Sequence, residues 1–327
     1  MMKIPLKYTL SQEMVSLISQ IEAKKALIEN TPIPEELATV IQRQSLLKSS
    51  LYSAKIEGNS LSERDLNSLG KLGSNLKERI EVENILSAFG FLRTNSYKEI
   101  DKKFILDLHK IVLNGLSESS GKVRTEPSAI FNQAGFAVYM PHPPSQMNNF
   151  LDDLVNYINN GSKENVLIKA ALTHVSFEKI HPFLDGNGRV GRLLYQALLA
   201  KEKYNFNWLL SIEEEINLKK DEYYAYLDKN DSTAFIEFSL DVLLKSAEKV
   251  LDKLSGQKIN DKELSLLPRR KEILDLIRDH NFMSMDSIRR RFLIVSPRMI
   301  RFDLKKLEEE GLIIKVGATR GAMYRVK

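Results

Sequence analysis

The chain has 327 residues, 43% hydrophobic and 28% charged, which is the balance of a globular protein long enough for about two domains. It contains no cysteine, which excludes disulfides, a thiol nucleophile and a thiolate zinc site. The net charge of +5 is unevenly spread: residues 262–327 carry 16 Lys and Arg against 9 Asp and Glu, whereas the rest of the chain carries 32 against 34.

A first helix is expected over SQEMVSLISQIEAKKALIEN (11–30), with Ser11 as its cap and TPIP as its stop. A second helical run, EELATVIQRQSLLKSSLYSAKIEGN, ends at Gly58-Asn59. Helical stretches follow at 62–69, 77–95 and 101–114. GKVRTEPSAIFNQAGFAVYMPHPP (121–144) alternates over short apolar runs and exits through prolines, which points to a β-hairpin. Helical patterning resumes at 146–159, 163–179, 187–203, 211–229 and 232–256. SGQKINDKELSLLP is polar until its last leucines and marks a linker at 257–267. Beyond it come helices at 268–280, 284–291 and 296–310, then two β-rich runs around GATRG. Three helices and a terminal hairpin match a winged helix-turn-helix. The fold expected is mainly α, divided at 1–95, 96–256 and 268–327. No run of about 18 apolar residues occurs. The start MMKIPLKYTLSQEM lacks the apolar core of a signal peptide, so a cytoplasmic protein without a membrane span is expected.

HPFLDGNGRVGR (181–192) concentrates reactive residue types just ahead of an apolar helix. Gly186, Asn187 and Gly188 at a helix N-terminus form a nest of N–H groups suited to a diphosphate. No Lys-Ser/Thr follows, so this is not a Walker A loop. Asp185 offers one ligand to a Mg²⁺ otherwise held by phosphate and water. Arg189 and Arg192 are three residues apart on one helix and suit phosphate oxygens. His181 has the reference pKa of a general base at neutral pH. Phe183 reads as an anchor of the loop. The plainer reading is a glycine-capped corner between two helices, which does not account for His, Asp, nest and paired Arg in one order.

The stretch resembles the Fic family signature HPFx(D/E)GNGRxxR at every fixed position. The resemblance implies a helical Fic core that moves a nucleotide monophosphate, usually AMP from ATP, onto a protein hydroxyl. His181 would then deprotonate the target Ser, Thr or Tyr, and Asp185 would hold Mg²⁺. Gly186, Asn187 and Gly188 would cradle the phosphates, and Arg189 and Arg192 would neutralise the pyrophosphate side. Phe177 and Glu178 resemble family positions, and His174 and Glu178 are expected to pack against or bond the motif loop. The hairpin at 121–141 resembles the family flap, which makes Arg124 and the backbone near 130–138 candidate target contacts. His142, between prolines, is expected to be structural or exposed.

SAKIEGN (53–59) resembles the inhibitory motif of family members that carry it ahead of the core, on a helix at about 45–58 here. By that resemblance Glu57 pairs with Arg192 and obstructs the γ-phosphate, with Ser53 one turn earlier on the same face. The plainer reading is a helix end with a solvated glutamate.

SMDSIRRRFLIVSPRMIRFDLKKLEEEGLIIKV resembles bacterial winged-helix DNA-binding domains. Ser296-Pro297 start the would-be recognition helix, with Arg298, Arg301 and Lys305 facing a groove or phosphates. Arg289, Arg290, Arg291 and Arg320 are further phosphate candidates, although KKLEEEGL makes the far end of that helix acidic. Dimerisation or target docking is the alternative use of this domain. Taken together, an autoinhibited protein adenylyltransferase that modifies a target or itself is expected, and the family resemblance alone implies a homodimer. The rivals are a nucleotide-sensing transcription regulator and an enzyme that removes AMP at the same site with Glu57 positioning water.

Overall fold

The computed structural model describes residues 3–327 except 64, 66–75, 96–97, 129, 132–136, 140, 161–163, 257–265, 281, 293–294 and 318–321. Two compact units emerge, Met1–Lys253 and Leu254–Lys327. The fold is mainly α, with helical elements throughout the first unit and a winged helix-turn-helix in the second.

Helix α1 (Gln12–Asn30) starts at Ser11, whose Oγ accepts from the Met14 N–H. The same hydroxyl donates to Glu237 Oε1 at 2.6 Å, which ties α1 to the long helix near the end of the unit. Helix α2 (Glu35–Ile56) buries Ile41, Leu46, Leu51 and Ile56 together with a row of small residues that includes Ser45, Ser49 and Ser53. Small side chains let α2 approach its neighbours closely, and Ser45 Oγ uses that proximity to donate to the Leu209 carbonyl. Helices α3 (Leu76–Asn95) and α4 (Lys102–Val112) pack on each other. The flap strands β1 (Ile130–Phe131) and β2 (Ala137–Tyr139) pair antiparallel. The helix expected at 62–69 and the tip of the flap lie largely outside the described residues.

Next come α5 (Met147–Asn159), α6 (Val166–Ile180) and α7 (Asn187–Lys201). Helices α6 and α7 are buried around almost their whole circumference and pack on each other as the centre of the unit. The single helix expected over 211–229 is two, α8 (Ile212–Leu218) and α9 (Lys220–Leu227), broken at Lys219 with φ −118° and ψ 34°. Apolar spacing runs across that break, so the pattern does not reveal it. The turn sends Tyr223 inward and brings the Tyr224 hydroxyl to the Ile56 carbonyl at the end of α2. Helix α10 (Thr233–Gly256) completes this unit.

In the second unit, α11 (Pro268–His280), α12 (Met285–Arg291) and α13 (Pro297–Glu309) enclose a core that includes Ile273, Ile277, Ile288, Ile300, Leu304 and Leu307. Strands β3 (Met283–Ser284), β4 (Ile313–Val316) and β5 (Met323–Val326) form an antiparallel sheet in the order β3-β5-β4. Strand β3, two residues long, is too short to show alternation and was not expected. Ser296 Oγ caps α13, and the buried Asp303 receives Arg269 Nε at 2.5 Å and Arg270 Nε at 3.1 Å. No helix among the described residues is long and apolar enough to cross a membrane.

Candidate active site

The loop 181–186 joins the two most buried helices, and its shape follows from how each of them ends. Helix α6 stops at His181, which sits in the left-handed region with φ 52° and ψ 59°. A non-glycine residue there is strained and persists only if its surroundings hold it. Arg124 does so: its backbone N–H donates to the Pro182 carbonyl at 2.9 Å and its Nε to the His181 carbonyl at 2.8 Å. The same side chain donates to the carbonyls of Glu126 and His142 and is only 3% exposed. Arg124 is therefore not an exposed contact for a target, as its place at the start of the flap suggests; it clamps the base of the flap to the histidine. His142 contributes its carbonyl to this clamp and packs against Phe150.

Helix α7 begins after Gly186, at φ 80°. A Cβ on Gly186 would come within 2.9 Å of Leu113, so both its backbone and its surroundings call for glycine. The Asn187 side chain does not point out to a phosphate. It accepts from the Phe183 N–H at 3.0 Å and donates to the Phe183 carbonyl at 2.8 Å, closing the loop on itself. The side chain thus shapes the loop and leaves the backbone N–H of Asn187 to the nest expected at the start of α7.

His109, which the sequence reading passed over, is completely buried under the loop. Its ring stacks on Phe183 with centroids 3.6 Å apart and an interplanar angle of 1°. Nδ1 accepts from the Gly121 N–H, so the proton sits on Nε2, which donates to the Asp185 carbonyl at 3.1 Å. Burial pushes its pKa down to about 4, which keeps the ring neutral and this tautomer in place. Burial also lowers the pKa of His181, opposed by the Glu178 backbone carbonyl, so His181 is a neutral proton acceptor at pH 7.

The two arginines have different partners. Arg189 donates through NH1 to Glu81 at 2.5 Å and through NH2 to Asp185 at 2.6 Å. Arg192, 1% exposed, donates through Nε to Ser53 Oγ at 3.0 Å and through NH2 to the Ser53 carbonyl and Glu57 Oε1, each at 2.9 Å. Glu57 follows the last turn of α2, and Gly58 at φ 101° lets the Asn59 N–H return to the Ala54 carbonyl. Tyr224 and Lys220 of α9 bond the carbonyls of Ile56 and Lys55. Glu57 is thus presented by a fixed turn. A Cβ added to Gly188 would collide with Glu57 Oε1, so this carboxylate lies directly over the nest.

His174 and Glu178 back the site from α6, as expected of residues packed behind the motif loop. Glu178 presses on the backbone of α7, where a Cβ on Gly191 would collide with its Oε1. Burial, then the charge of Glu57, raise the Glu178 pKa to about 8, opposed by Arg192. Burial lowers that of His174 to about 3, and its Nε2 lies 3.0 Å from the Tyr223 hydroxyl. Both are neutral at pH 7. The folded chain holds a proton on Glu178 that the unfolded chain releases above about 4.5. Stability from this group is therefore complete below that pH and is lost as pH rises toward 8. Glu178→Gln should melt close to the parent at pH 5 and increasingly above it by pH 8 in thermal scans. Parallel curves for the two proteins would rule this out.

Asp185 is the one exposed carboxylate of the loop, and its Oδ1 is taken by Arg189 and the Gly186 N–H. Among the described residues no group of three His, Cys, Asp or Glu could cage a metal ion. A single carboxylate beside an N–H nest fits Mg²⁺ that draws its remaining ligands from phosphates and water. In the second unit, Arg298, Arg301 and Lys305 are all exposed along α13, with Phe302 beside them. Lys305 has Glu309 3.8 Å away. Arg289, Arg290 and Arg291 are exposed on α12, and Arg320 lies outside the described residues.

Residues 99–199 match the Fic/DOC family model, and residues 269–320 match the DeoR-like helix-turn-helix domain. Protein adenylyltransferase fic-1 of Caenorhabditis briggsae is 27% identical over 244 residues, covering 69% of this chain and 46% of that protein. A probable protein adenylyltransferase of Aquifex aeolicus is 34% identical over 102 residues, covering 31% of this chain and 30% of its own. The chain thus spans less than half the length of these curated relatives. Among solved structures, a Fic family protein from Desulfovibrio desulfuricans G20 has a TM-score of 0.71 at 21% identity and covers 98% of both chains. Fic-1 from C. elegans has a TM-score of 0.63 at 21% identity, covering 76% of this chain and 73% of its own. Both likenesses concern the fold.

Proposed function

We propose, from residues 99–199 that match the Fic/DOC family model and residues 269–320 that match the DeoR-like helix-turn-helix domain, that the chain is an autoinhibited protein adenylyltransferase. It transfers AMP from ATP to a hydroxyl of a target protein or of itself and releases pyrophosphate. The observation that carries the autoinhibited reading is Glu57, paired with Arg192 and lying over Gly188 where a phosphate would sit.

The target hydroxyl oxygen attacks the α-phosphorus, the bond to the β-phosphate bridging oxygen breaks, and pyrophosphate leaves. His181 takes the hydroxyl proton, for which its lowered pKa keeps it ready. Phosphates rest on the N–H groups at the start of α7, and Arg189 and Arg192 offset the charge that builds on the leaving group. Mg²⁺ at Asp185 would neutralise phosphate charge. While Glu57 holds Arg192, the anion and the carboxylate compete for one guanidinium and one space, so ATP lies in a pose unsuited to attack. The family resemblance adds a homodimer to this proposal. The test is mass spectrometry of Glu57→Gly protein incubated with Mg²⁺ and each nucleoside triphosphate. A gain of one AMP on the chain or on an added protein supports the reading. Comparing release of AMP from labelled protein by parent and Glu57→Gly separates the removal reaction, which needs Glu57.

The exposed basic row on α13 favours a second activity beside the first, binding of DNA by the C-terminal unit. Arg298→Ala combined with Arg301→Ala should weaken duplex binding and reduce the slope of log K against log salt by about 2. An unchanged slope in a filter-binding or anisotropy titration would leave the domain to protein contacts.

A further inference from the structure

Arg189 lies between two carboxylates, only 5% exposed, with NH1 on Glu81 Oε1 and NH2 on Asp185 Oδ1. Glu81 comes from α3, far from the motif in sequence, and its second oxygen is also engaged. Oε2 accepts from Asn59 Nδ2 at 2.8 Å. Asn59 in turn donates to the Glu78 carbonyl and accepts from the Leu61 N–H, so it is held on both sides. Turning Glu81 away from Arg189 would take the acceptor from one of the two N–H groups of the Asn59 amide, a residue only 9% exposed.

We propose that Glu81 is a positioning residue that takes up one half of the Arg189 guanidinium and so keeps Asp185 available to a divalent cation. A guanidinium shared between two carboxylates gives each one arm. Without Glu81, the buried Arg189 has one anion left and turns both arms onto it as a fork. Asp185 would then be covered on the side a cation needs, and its charge would be offset before any cation arrived. Outer partners of this kind commonly change metal affinity by about 10- to 100-fold.

This rests on the nucleotidyl-transfer reading only in placing ATP and Mg²⁺ at Asp185 and Arg189. The test uses the full chain in the Glu57→Gly background, with Glu81 intact, Glu81→Ala or Glu81→Gln. Binding of a fluorescent N-methylanthraniloyl ATP is followed by anisotropy while Mg²⁺ is titrated, and thermal scans confirm that each protein is folded. The Mg²⁺ midpoint should rise about tenfold or more in Glu81→Ala. It should rise less in Glu81→Gln, which keeps an oxygen for Arg189 and carries the test if the alanine protein fails to fold. Saturating Mg²⁺ should restore most of the transfer rate, a recovery that a general loss of structure would not show. An unchanged midpoint in folded variants, or nucleotide binding indifferent to Mg²⁺, overturns the proposal. Failure of every variant to transfer AMP would instead refute the transferase reading, while the binding titration would still decide the role of Glu81.

Discussion

Glu57→Gly is expected to transfer AMP about a hundredfold faster than the parent chain. That factor corresponds to a resting state in which roughly 1% of molecules are competent, a preference of about 3 kcal/mol for the closed arrangement. A pair between a buried guanidinium and a partly exposed carboxylate, supported by a fixed helix end, is a reasonable source of such a bias. The side chain of Glu57 is 30% exposed while that of Arg192 is 1% exposed, so the glutamate is the partner free to leave. Removing it does not strand the arginine. Arg192 keeps Ser53 Oγ, the Ser53 carbonyl and a 3.5 Å contact to the Tyr223 hydroxyl, so the folded site should survive the change. Glycine also adds no bulk above Gly188, the space that Glu57 now takes. Labelled ATP, gel autoradiography and intact mass would report the result. No label on any protein, from a folded variant, would defeat the inhibited-transferase reading.

His181→Ala placed on top of Glu57→Gly should remove that gain, lowering the rate by roughly 10²–10⁴ through loss of the base. Nucleotide binding should change little, because the proposed anion site consists of the N-terminus of α7 and two arginines and does not include the imidazole. This separation of rate from binding is the useful part of the experiment. The acid limb of the rate profile in Glu57→Gly should fall below the ordinary histidine value of 6.5, because burial lowers the His181 pKa. A double variant that still labels proteins at the Glu57→Gly rate would remove His181 from the chemistry.

Much of the site is legible in chain order because it is contiguous. His181 to Arg192 lie on one loop and the helix after it, and the glycines mark where the backbone must turn and where a ligand can come close. Glu57 is legible only through its likeness to a known motif, since a Ser, Glu and Gly at a helix end are ordinary. Asn187 shows the limit of reading residue types: its place in the nest says nothing of its side chain, which closes the loop on Phe183. Arg124 shows it again, as a basic residue at the start of a flap that proves to be buried. His109 and Glu81 carry no local signal, lying in helices where one polar position looks like another.

By itself the sequence determined the helical class, the basic C-terminal unit and the order of residue types along 181–192. Those follow from periodicity, charge and local backbone demands, all of which act between near neighbours. The pairing of Glu57 with Arg192 was expected through a resemblance alone, and only the tertiary structure decided the other partners: Ser53 Oγ and carbonyl on Arg192, Glu81 on Arg189, Arg124 and His109 around the loop, and the neutral pair His174 and Glu178 behind it. Pairing of charges and the pKa shifts that go with it depend on distance and burial, and helices α2, α3 and α4 supply these contacts from far along the chain. A one-dimensional pattern has no record of that proximity.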